Sequence, residues 1–90
     1  MTTINENAAI AKLNDMQKKI ESFEEEWTKA DKAGDREKTE ILDRNIECFL
    51  AMRHGMEEML SLLSIRFDRK DFRTVGLDGE WTVHTSWFLT

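Results

Sequence analysis

The 90-residue chain has no proline and no tyrosine, one cysteine, two histidines and four glycines. Without proline, nothing forces a break inside a helix, where that residue costs about 3 kcal/mol. The single cysteine, Cys48, rules out an internal disulfide and fits a reducing setting. No apolar run approaches the roughly 20 residues that span a bilayer, so no membrane association is expected. The opening Met1–Glu6 has neither the basic nor the apolar region of a signal peptide. The expected location is therefore cytoplasmic.

The motifs of chemistry are missing as well. A metal site needs clustered ligands, and there is no CxxC, no HExxH and no histidine pair one turn apart. A cysteine nucleophile needs a base within reach. Cys48 and His54 are six positions apart, which puts them on different faces of a helix. The loop with two glycines, Gly76-Leu77-Asp78-Gly79, carries an acid that repels phosphate. The expectation is a non-enzymatic protein with no catalytic residue, no metal and no cofactor.

The formal charge is −5. All of the negative excess falls in residues 1–64, and residues 65–90 are balanced. Nucleic-acid binding uses a clustered basic face, so it is not expected. A chain this short buries only about 60–65% of its unfolded surface. Self-association is therefore expected, with a homodimer favoured.

What the sequence does contain is periodicity. Thr3 and Glu6 form a capping box at the start of a helix expected over residues 4–33. Ala9, Leu13, Met16, Ile20, Phe23, Trp27 and Ala30 recur in alternating steps of four and three, a coiled-coil-like seam. Gly34 suits the left-handed residue that ends a helix, and Asp35 can cap the next one. A second helix is expected over residues 36–64, or onward as far as 70. Its seam reads Leu42, Asn45, Phe49, Met52, Met56, Met59 and Leu63, beside a second row of Ile41, Ile46, Leu50 and Leu60. The apolar face is wider than one helix contact requires.

A short connection makes the helices antiparallel. Trp27 then falls near Leu42, Phe23 near Asn45 and Ile46, and Ile20 near Phe49. At the open end, small Ala8 and Ala9 face Met59 and Leu60, which leaves room for a third element.

The C-terminal segment can supply it. From Phe72 the period changes to two, and Asp78-Gly79 is a two-residue hairpin signal with positive φ at both positions. A β-hairpin is expected over residues 72–89, with strands Phe72–Leu77 and Glu80–Leu89. The expected fold is a single α+β domain, 1–90, mostly α: a long antiparallel helical hairpin followed by a short C-terminal β-hairpin.

Function is sought on surfaces. Trp81 and Trp87 share one strand face and Phe88 lies on the other; aromatics of this kind dominate binding hot spots. Glu24 and Glu25 belong to an acidic patch that either faces solvent or meets a basic partner. Arg66, Arg69 and Arg73 interleave with Phe67 and Phe72, diluted by Asp68 and Asp71. Asn45 on the seam is of the type that fixes coiled-coil register. The Met52, Met56, Met59 stripe reads as core.

These features predict a protein–protein interaction module, a standalone regulator or inhibitor of the kind phages and mobile elements carry, acting on a host protein. Two other readings stay open. One is a homo-oligomer that sequesters a small ligand or nucleotide between subunits. The other is a structural subunit that lends its edge strand to a larger assembly.

Overall fold

The computed structural model describes residues 5–90. Two helices, α1 (Glu6–Lys32) and α2 (Arg36–Leu62), precede two strands, β1 (Phe67–Val75) and β2 (Trp81–Leu89). The fold is α+β, mostly α, as the sequence predicts.

Thr3 lies outside the described residues. The cap of α1 is Asn5, whose side-chain oxygen accepts from Ala8 N–H at 3.2 Å. Gly34 takes φ 73° and ends α1. Around it, Gly34 N–H donates to Asp31 C=O and Asp35 N–H to Ala30 C=O, which satisfies two carbonyls of the last turn. Asp35 then caps α2 by accepting from Lys38 N–H at 3.1 Å. Two helix ends are thus closed within three residues, and the tight turn forces the helices to run antiparallel.

The face that α1 buries contains Ile10, Leu13, Met16, Gln17, Ile20 and Ala30. Phe23 packs edge-on against Phe49 at 5.4 Å, and Arg53 reaches Gln17 at 2.6 Å, so the helices meet close to the expected antiparallel register. The inward row of α2 differs from the expected seam. Leu42 and Leu60 are buried, and Ile46, Phe49, Arg53 and Met56 are half-buried between them. Met52 and Met59 are exposed by 47% and 44%, so two members of the methionine stripe are surface rather than core.

α2 stops at Leu62 and does not extend to residue 70. Ser64 takes φ 59°. Its N–H donates to Ser61 C=O, and Ile65 N–H donates to Leu60 C=O. This is the same termination that Gly34 makes, built here on a non-glycine residue. It releases the chain early enough for β1 to begin at Phe67 rather than Phe72.

The strands pair antiparallel from Phe67 opposite Leu89 to Val75 opposite Trp81. The connection also differs from the expected two-residue turn. Gly79 has φ 80° but Asp78 does not share that region. Gly79 N–H donates to Gly76 C=O, and Gly76 N–H to Glu80 C=O, closing a three-residue loop, Leu77–Gly79.

The hairpin fills the open end of the helix pair. Trp87, only 3% exposed, joins Ile10, Leu13 and Leu60 in one cluster, with Ala9, Met56, Ile65, Phe67 and Leu89 around it. The small side chain of Ala9 lies against this cluster, while Ala8 faces solvent. Burying a side chain of this size contributes roughly 3 kcal/mol.

Candidate interaction surface

α1 lies along the outer edge of β2. The side-chain amide of Asn14 accepts from Trp87 N–H at 2.9 Å and donates to Trp87 C=O at 3.0 Å. Asn14 thus stands in for a residue of a neighbouring strand. One turn of α2 meets the indole from the other side. Trp87 Nε1–H donates to Glu57 at 3.3 Å, and the Arg53 guanidinium lies 5.4 Å from the ring centre. Arg53 also donates to the buried Gln17 at 2.6 Å. Among the described buried groups, Trp27 Nε1–H and Arg53 Nε–H have no hydrogen-bond partner.

A second tie fixes the middle of the hairpin. His84 Nδ1 lies 2.6 Å from Glu21 Oε1, and His84 Nε2 lies 2.8 Å from Thr74 Oγ1. A carboxylate only accepts, so Nδ1 carries the hydrogen of the first bond, and Nε2 shares the second with the threonine hydroxyl. Phe72 stacks on the imidazole at 5.1 Å. The order hydroxyl–imidazole–carboxylate is that of a hydrolytic triad. Its surroundings are not those of one. Thr74 pairs with Thr82 and Phe72 with His84 in the β ladder, so the nearby strand N–H groups face the partner strand, not a reacting oxygen. The tie holds β2 to α1.

Beyond these two anchors the hairpin projects. Every residue from Asp68 to Val83 is exposed. Trp81 is 67% exposed, with Val75 directly opposite and Val83 two positions along the same face. Phe72 and Phe88 are half-exposed on the other face.

The edge of β1 is open as well. Because the N–H and C=O of Trp87 turn toward Asn14, Trp87 and Arg69 form a non-hydrogen-bonded pair. By alternation, the backbone groups of Phe67, Arg69, Asp71, Arg73 and Val75 point away from β2. Charged side chains along such an edge discourage indiscriminate pairing.

The structure therefore divides the residues expected to make contacts. Trp81 is open, and Phe72 and Phe88 are partly so. Trp87 belongs to the core and is not a free surface. Arg69 and Arg73 flank the β1 edge on the Trp81 face, and Arg66 precedes the strand, its C=O accepting from Thr90 N–H at 3.3 Å. Glu25 pairs with Lys29 at 3.6 Å in solvent. Partial burial pushes the Glu24 carboxyl above its ordinary range; Glu21 adds to this and Arg53 opposes it. Asn45 is half-buried on α2, about two helical turns before Arg53.

Sequence reading missed Asn14, Gln17, Arg53 and the Thr74–His84–Glu21 chain. Arg53 did leave a trace, as the one base in the middle of an otherwise apolar face of α2. Asn14 left none, since its partner is 73 positions away.

Among the described residues no group of histidine, cysteine and acidic side chains is placed to hold a metal, and no helix is long and apolar enough to cross a membrane. Set against protein-family models, curated proteins and solved structures, the chain matches none of them. The class that fold and surface define is a small α+β scaffold that presents a β-hairpin.

Proposed function

We propose that this chain is a protein-binding module that acts by occupying its partner, and that the contact is the projecting half of the hairpin. The observation that carries the reading is Trp81. A tryptophan 67% exposed, flanked on its own face by Val75 and Val83, forms an apolar patch on a strand pair held rigidly at its other end. Large aromatics in such patches are the usual anchors of protein interfaces.

The open edge of β1 supports the same reading. An extended segment of a partner can pair with the outward backbone groups of Arg69, Asp71 and Arg73 as a third strand. The alternating charges of these three residues favour a partner strand of the opposite alternation. A small protein that docks this way suits the work of a regulator or inhibitor of another protein.

Two variants test it by quantitative affinity capture. Trp81→Ala removes the anchor. Asp71→Pro removes an outward N–H that β2 does not use, so the hairpin persists while a third strand is blocked. Each should reduce recovery of the captured protein at least tenfold with an unchanged melting temperature. Equal recovery by both variants contradicts the reading.

A further inference from the structure

α2 carries two heptad rows, and α1 covers only one. The inner row is Leu42, Ile46, Phe49, Arg53, Met56 and Leu60. One position earlier at each step, about 100° round the helix, runs an outer row: Ile41, Asn45, Cys48, Met52, Gly55 and Met59. Its steps are four, three, four, three, four, which is the spacing of a coiled-coil seam. Yet Ile41, Met52 and Met59 are exposed, by 53%, 47% and 44%, and Cys48 is exposed among them.

We infer that this outer row is the interface of a homodimer, in which α2 packs antiparallel against α2 of a second copy. The proposal is independent of the hairpin contact. Three observations choose the occupant and its direction.

The first is fit of size. With the twofold axis between Cys48 and Met52, Ile41 lies beside Met59 of the second copy, Asn45 beside Gly55, and Cys48 beside Met52. Each small or polar residue meets one that complements it. A parallel pair would set Gly55 on Gly55 and leave a gap.

The second is charge. Arg44 and Glu58 flank the row on one side, separated by two heptads, with Ala51 midway. In the antiparallel pair Arg44 of each copy lies beside Glu58 of the other, and Ala51 meets Ala51. The row is thus complementary to itself, as a twofold interface requires.

The third is Gly55. It sits inside α2, where glycine is unfavourable relative to alanine. A Cβ built there meets nothing within 4 Å, so packing within the chain does not require its absence. A second helix approaching closely does.

Sedimentation equilibrium of the full chain over a dilution series tests the proposal. The expected mass is twice the 10.6 kDa of the chain. Met52→Glu should give the single-chain mass with unchanged helical circular dichroism, because Met52 is a surface residue of the isolated fold. Arg44→Glu should raise the dimer dissociation constant about tenfold or more, and Arg44→Glu with Glu58→Arg should restore it. In a Met52→Cys variant, a short bismaleimide should join the new thiol to Cys48 of the second copy. A wild-type chain that stays at single-chain mass throughout overturns the inference and leaves the row to a foreign helix. A dimer untouched by Met52→Glu, or a charge swap that restores nothing, overturns it equally.

Discussion

The amide of Asn14 closes both backbone groups of Trp87, at 2.9 and 3.0 Å, so a helix residue completes the edge of a strand 73 positions away. The contact is half-buried, and losing it strands an N–H and a C=O at once. Asn14→Leu should therefore lower stability by about 2 kcal/mol. Urea unfolding followed by circular dichroism reads this directly, and an unchanged midpoint would show that water replaces the amide without cost.

The two strand tryptophans should separate by consequence. Trp87 is packed on Ile10, Leu13 and Leu60. Trp87→Ala should cost about 3–5 kcal/mol, enough to unfold much of a domain this small. Trp81→Ala should change stability by less than about 0.5 kcal/mol, as expected for a surface site. Thermal melts of both variants decide the point; comparable losses would mean that Trp81 is packed in solution.

Ser64 holds φ 59°, a conformation that costs a non-glycine residue about 1 kcal/mol. Ser64→Gly should stabilise the fold by roughly 0.5–1 kcal/mol, less whatever glycine adds to the entropy of the unfolded chain. A fall in melting temperature on this substitution would place the end of α2 elsewhere.

Glu24 supplies the pH dependence. Burial first and Glu21 second raise its carboxyl in the folded state, against Arg53. Below the unfolded-state value both states are protonated and the group contributes nothing. As pH rises above that value, the unfolded state releases its proton first, so stability falls until the folded-state carboxyl has also ionised. Glu24→Gln should thus be more stable than wild type at neutral pH, with the advantage vanishing in acid. The carboxylate is largely exposed and solvent screens it, so the gain should not exceed about 0.5 kcal/mol. An advantage that grows on acidification reverses the assignment.

The helical hairpin was legible because the four-three spacing of α1 and the Gly34-Asp35 pair both mark structure at short range. The inward face of α2 was not. Its apolar arc is wider than one helix covers, and periodicity says that a face exists without saying which half meets α1. Arg53, turned inward onto Gln17 and Trp87, takes the place that Met52 was expected to hold. The start of β1 was hidden for a different reason. Phe67 follows Leu63 at helical spacing, and serine at Ser64 gives no signal of a left-handed residue. Of the surface, the aromatics of the hairpin were visible, but their division was not. Whether Trp81 or Trp87 is buried depends on Asn14 and Leu60, which no local pattern connects to the strand.

The most direct test of the binding surface is amide hydrogen exchange on the captured complex, read peptide by peptide. Slowed exchange is expected over residues 67–83, concentrated at the outward amides of Arg69, Asp71 and Arg73, with the acidic face of α1 around Glu25 unchanged. Protection confined to α1, with the hairpin exchanging as it does in the free chain, would contradict this expectation.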